Sequence, residues 1–144
     1  MNYQLDVKTQ IYLNKTNFLF YFFYSFHRTV EPKIKSKWII SLEEEANCFV
    51  FGQNNKWVEL NCSWGLVVEK NLLVDIGTNR FGEPLKIAKF VNNPRNSEWH
   101  GYPADYVRNS QDRPSTPILL KWKEEKIIAK HQVVKIRQGK ICNL

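Results

Sequence analysis

The chain has 144 residues, 43% of them hydrophobic and 14% aromatic, and a formal net charge of +7. That length suits one domain with a sizeable core, and so aromatic a composition excludes a disordered chain. The charge is unevenly placed: residues 1–79 carry 8 Lys/Arg against 8 Asp/Glu, whereas residues 80–144 carry 13 against 6 and so hold the whole +7.

Such an asymmetry points to an anionic partner for one face of the molecule, nucleic acid being the commonest. The three cysteines, Cys48, Cys62 and Cys142, are odd in number and lack metal-ligand or redox spacing. A reducing, cytoplasmic compartment is the expectation.

Along the chain, Tyr3, Leu5, Val7, Ile11 and Leu13 alternate with polar residues, as in a half-buried strand. Turn formers at Asn14–Asn17 precede the most apolar run, Phe18–Phe26. At about ten residues it is half the length a membrane-spanning helix needs. It does not read as a signal peptide either, because Asp6 interrupts the leading region and His27-Arg28 follows where small residues would be needed. The run is read as core, as a strand or a buried helix alike. Pro32 ends it, and Lys33–Lys37 alternates before Trp38-Ile39-Ile40. The three glutamates at 43–45 suit a solvated turn or a helix start.

Residues 47–91 read as an antiparallel meander, with short apolar runs punctuated by turn residues. The expected strands are Cys48–Phe51, Trp57–Leu60, Trp64–Glu69, Leu72–Ile76 and Leu85–Val91, with a reversal at Gly52–Lys56 and a loop at Gly77–Gly82. Residues 92–116, rich in Asn, Pro, Ser, Gly and Arg, read as a long aromatic and polar loop. A loop of that length points to binding. Two helices follow. Thr116 serves as N-cap with Pro117 at the first helical position, and a second helix runs from Ala129 to Gln138 and stops at Gly139.

The leading candidate site is Glu98–Tyr106, which places His100, two carboxylates and three aromatic rings within nine residues. His100 can act as general acid or base near neutral pH, with Asp105 or Glu98 to orient it. Arg95 or Arg108 can offset developing negative charge. The same residues suit plain ligand contact, or a structural turn in which Pro103 fixes the chain and the rings fill the core.

The second candidate is a basic aromatic face for nucleic acid. Arg95, Arg108, Arg113, Lys121, Lys130, Arg137 and Lys140 would neutralise phosphates, and Trp99 and Tyr102 would stack on unpaired bases. That combination favours single-stranded or structured RNA over duplex DNA. A helix-turn-helix reading of residues 117–126 and 129–138 is disfavoured, because Val133 and Val134 flank the basic arc and no third helix precedes the pair. His27, His100 and His131 are far apart in sequence, so neither a metal site nor a cofactor is expected.

The expected architecture is α+β: residues 1–91 mainly an antiparallel β-meander, the loop 92–116, then a basic helical hairpin over 117–140, all one domain. A small β-barrel with a helical appendage is the alternative. The expected function is non-catalytic binding of nucleic acid, RNA in particular, with no membrane partner. Two alternatives stand beside it. One is a small, toxin-like ribonuclease using His100, Asp105 and Arg108. The other is a regulatory or inhibitory factor whose basic face meets an acidic protein.

Overall fold

The computed structural model describes residues 3–29 and 35–144. The fold is α+β, with mostly antiparallel sheets and two C-terminal helices. Pro32 and the start of the alternating Lys33–Lys37 segment lie outside the described residues.

The first hairpin follows from its turn. Asn14 Oδ1 accepts hydrogen bonds from the backbone of Thr16 and Asn17, both at 2.9 Å, an Asx turn that reverses the chain. It joins β1 (Lys8–Tyr12) to β2 (Phe18–Phe22) in antiparallel register, Ile11 facing Leu19. The aromatic run is therefore a strand in its first half, followed by a single helical turn over Ser25–His27. Its side chains alternate: Tyr21 and Phe23 are wholly buried, whereas Phe18, Phe20, Phe22, Tyr24 and Phe26 keep part of their surface in solvent.

After β3 (Lys37–Trp38) comes α1 (Leu42–Asn54), and here the expectation fails, because the predicted strand Cys48–Phe51 is the middle of this helix. The cause is a capping box at its start. Ser41 Oγ accepts from the Glu44 backbone and Glu44 Oε1 from the Ser41 backbone, each at 3.1 Å. The helix buries Ala46, Cys48, Phe49 and Gly52, so the apolar run is a helix face.

Seven short strands follow, β4 (Val58–Glu59), β5 (Cys62–Gly65), β6 (Val68–Glu69), β7 (Leu72–Leu73), β8 (Gly77–Thr78), β9 (Pro84–Leu85) and the longer β10 (Ile87–Asn93). The β6–β7 reversal at Lys70-Asn71 takes two positive φ angles, 52° and 66°, as a tight hairpin requires.

The predicted loop 92–116 is also corrected. β10 runs on to Asn93, and Glu98–Ala104 is the seven-residue strand β11, paired along its length with β10. Gly101 and Pro103 disguise it, yet both fit. A Cβ on Gly101 would lie 2.3 Å from the Phe90 ring. Pro103 stands where β2, which pairs only with Glu98 and Trp99, no longer flanks β11. Loop structure is confined to the turn at 94–97 and to residues 105–115.

The main sheet has the order β1-β2-β11-β10-β5-β4, parallel only between β2 and β11; β3-β8-β9 form a smaller sheet. One face of the main sheet packs on α1 through Tyr21, Phe23, Phe49, Phe90 and Trp99. At one end of the opposite face, α2 (Thr116–Glu124) and α3 (Lys130–Gln138) bury Trp64, Ile87 and Ala104 beneath Ile118, Leu119, Trp122 and Ile136. Ser115 rather than Thr116 occupies the N-cap of α2, and α3 ends at Gly139 with φ 69°, as expected of a glycine terminator. Because α2 and α3 cover only one end, the rest of that outer face stays open among the described residues. It carries the even-numbered residues of β2 and, from β11, Glu98, His100 and Tyr102. Among the described residues no helix is long and apolar enough to cross a membrane.

Candidate functional site

Where the open face meets the loops after β8 and β11 lies a cleft of about 510 Å³. The strand period sets its floor: β11 turns His100 and Tyr102 outward while Trp99 and Gly101 turn to the core. The helical turn after β2 brings in His27, whose ring stacks on Tyr102 at 5.4 Å between centroids and 14° between planes. His100 stands edge-on to Tyr24 at 5.1 Å. Lys35, Arg80 and Arg108 also line the cleft, together with Asp105 and Asp112.

The two carboxylates belong to the wall. Asp105 accepts from Asn79 Nδ2 at 3.2 Å and from the backbone and guanidinium of Arg108 at 3.3 and 3.4 Å. Asp112 accepts from the Tyr102 hydroxyl at 2.7 Å and the Asp105 backbone at 3.0 Å. These bonds pin the 105–112 loop against β11. They also replace the expected role of Asp105, whose oxygens orient a turn and a guanidinium rather than an imidazole. Burial and the adjoining Asp112 raise the Tyr102 phenol well above its ordinary value, so it keeps its proton and donates. Arg108 is likewise engaged, bonded to Glu83 at 2.8 Å, and both Arg80 and Arg108 lie 4.6 Å from the centre of the Phe81 ring.

The imidazoles are neutral at pH 7. Burial lowers His27 to about 4, with the Ser36 carbonyl opposing and nearby Lys35 reinforcing the shift. Burial, then Lys35, lowers His100 in the same direction. His27 Nδ1 lies 2.9 Å from the Ser36 carbonyl oxygen. A carbonyl can only accept, so Nδ1 carries the hydrogen and Nε2 keeps a lone pair.

Of the residues expected to act together, the structure brings His100, Tyr102, Asp105 and Arg108 to one cleft. It does not bring the others. Trp99 is 7% exposed and packs 5.5 Å from Phe49 in the core, where no base can stack on it. Arg95 sits in the β10–β11 turn, about 20 Å of strand away from the helix-covered end.

Three cations are engaged with backbone carbonyls. Arg113 bonds those of Tyr106 and Val107, Lys121 that of Lys56, and Arg137 that of Pro114. Lys130 and Lys140 flank Val134 on a separate, shallow surface of α3. The late-chain cations are thus not gathered onto one surface.

The sequence reasoning missed His27, Lys35 and the outward aromatic side of β2 as site components. The run Phe18–Phe26 carried no signal for this, because it is apolar at odd and even positions alike up to Tyr24. No family model matches the chain, and no curated protein or solved structure matches it either.

Proposed function

We propose that the protein binds single-stranded nucleic acid, RNA in particular, with the His27–His100 cleft as the anchoring site. The observation that carries this reading is the coincidence, in one cleft, of a ring stack (His27 on Tyr102) with two cations, Lys35 and Arg80, beside Arg108, which is paired with Glu83 and Asp105. The partly exposed His100 and Tyr102 offer ring faces and acceptors to a base, the buried His27 backs Tyr102 from within, and the cations meet phosphate. Duplex recognition would need an element shaped for a groove, and the cleft is a concave pocket instead.

The test is a salt series with a fluorescent oligouridine. The observed affinity should fall linearly with log salt, and Arg80→Ala should reduce the slope by about one phosphate equivalent. An affinity indifferent to salt would end the proposal. The matching oligodeoxythymidine, if bound equally well, would remove the preference for RNA.

A second reading, phosphodiester cleavage, has its own support in the neutral His100 within the same cleft. There His100 would take the proton of a ribose 2′-hydroxyl as that oxygen bonds to phosphorus and the bond to the 5′ oxygen breaks. Water would protonate the departing 5′ oxygen, and the imidazolium would return its proton to the hydroxide left behind. The products are a 2′,3′-cyclic phosphate and a 5′-hydroxyl, with no co-reactant consumed. His100→Ala should then lower the cleavage rate at least a hundredfold. Unchanged cleavage by that variant would leave binding alone.

A further inference from the structure

The open sheet face beyond the cleft is the most unusual surface of the molecule, because a strand with two wholly buried aromatic residues presents a second aromatic row to solvent. From the cleft outward, Phe26 lies 4.8 Å from His27, Tyr24 lies 4.7 Å from Phe26, and Phe22 lies 4.5 Å from Tyr24. Farther along the same face, Phe20 and Phe18 are 5.4 Å apart and Tyr12 lies 5.5 Å from Phe18.

Two ammonium groups accompany the row: Lys8 Nζ stands 4.2 Å above the Phe20 ring, and Lys35 Nζ is 5.7 Å from that of Phe26. Core packing does not explain the row, since the opposite side of the strand already supplies the core with Tyr21 and Phe23. Neighbouring rings 4.5–5.4 Å apart form an almost continuous aromatic surface on which unpaired bases can lie.

We propose that this row, Phe26-Tyr24-Phe22-Phe20-Phe18, carries a single strand of RNA onward from the cleft, its unpaired bases on the rings and its phosphates near Lys35 and Lys8. The inference rests on the cleft reading and deepens it: the ligand is unpaired and longer than the cleft. Bases stack on aromatic rings without regard to sequence, and the cations beside the rings suit a polyanion. Glu98, which stands opposite Phe20 in the β2–β11 register, is the one carboxylate on β2 or β11 that opposes this polarity.

The experiment compares a trinucleotide with a nonanucleotide of uridine, each titrated against the whole chain. The nonamer is expected to bind at least tenfold more tightly. Phe22→Ala should remove about tenfold from the nonamer affinity and leave the trimer unchanged, and Phe22→Trp should restore the loss. Glu98→Gln should tighten the nonamer about threefold by removing a like charge from its path.

Equal affinity for trimer and nonamer in the wild type would overturn the row while leaving the cleft standing. Failure of both oligomers to bind would overturn both readings. A Phe22→Ala protein that binds the nonamer as the wild type does, but loses self-association in sedimentation, would overturn the proposal in favour of a protein interface. Urea denaturation of each variant guards against a folding defect, and Phe22, partly exposed on the face opposite Tyr21 and Phe23, can be truncated without opening the core.

Discussion

Gly52→Ala is expected to lower the stability of the fold by about 2–3 kcal/mol, read as a lower urea midpoint at unchanged slope. The sign is a contest. In a solvent-facing helix position alanine would win by about 1 kcal/mol, because glycine gives up more backbone freedom. Here a Cβ would lie 2.0 Å from the Trp64 carbonyl oxygen and 3.2 Å from its carbon, and both are backbone atoms of β5.

A flexible side chain could swing aside; a strand held on both edges, by β4 and by β10, cannot. The facing position is also closed, since a Cβ on Gly65 would meet Cys48 Sγ at 2.6 Å and the Cys48 carbonyl oxygen at 2.9 Å. Helix α1 therefore touches β5 backbone to backbone through Cys48, Gly52 and Gly65, and added volume must push the helix off the sheet. The strain would spread to Trp64, whose indole donates to Glu59 at 3.2 Å and whose ring packs under α2. A midpoint equal to the wild type or higher would show that the contact yields, and the account of how α1 docks would be wrong.

The same contact explains why part of the fold was legible in the sequence and part was not. The helical pair was readable because its signals are local: Pro117 at the start of α2 and Gly139 at the end of α3 act through their own backbones. The turn at Asn14–Asn17 was readable for the same reason, but the strand after it was not, because Phe18–Phe26 suits a buried helix equally.

Cys48–Phe51 was misread because four apolar residues suit a strand and a buried helix equally. The deciding pair, Ser41 and Glu44, lay several residues upstream. β11 was misread because Gly101 and Pro103 are loop punctuation by themselves, and only their partners, Phe90 and the end of β2, make them strand residues. The site divides the same way. His100, Tyr102 and Arg108 lie on one segment and were found together, whereas His27 joins them only through the β2–β11 pairing. Trp99 was misassigned because one residue of shift along a strand exchanges solvent for core.

Acid should reveal two buried groups of opposite sign, and His27→Asn is the variant that separates them. His27 is lowered to about 4 in the fold from 6.5, chiefly by burial. The folded state therefore binds fewer protons than the unfolded chain between those values. Its contribution is fully present above pH 6.5 and is lost as pH falls towards 4. Glu45 behaves in the opposite way. Burial raises it from 4.5 to about 7, although the Tyr21 hydroxyl at 2.5 Å and Arg28 at 2.7 Å pull it down.

A carboxyl so raised favours the fold below pH 4.5 and loses that contribution as pH climbs through 7. Each shift amounts to about 3 kcal/mol, so in the wild type the two slopes largely cancel between pH 4.5 and 6.5. His100, lowered in the same direction as His27, adds to the histidine side. Asparagine at position 27 keeps an N–H for the Ser36 carbonyl and cannot take up a proton. Loss of the stack on Tyr102 costs the variant a fixed amount at every pH.

Relative to the wild type, His27→Asn should then gain about 3 kcal/mol on going from pH 7 to pH 4, measured as the change in its urea stability difference. A difference that stays constant over that range would mean that His27 titrates in the fold as it does in the unfolded chain. The imidazole would then be open to water, and the neutral, oriented ring on which the cleft depends would not exist.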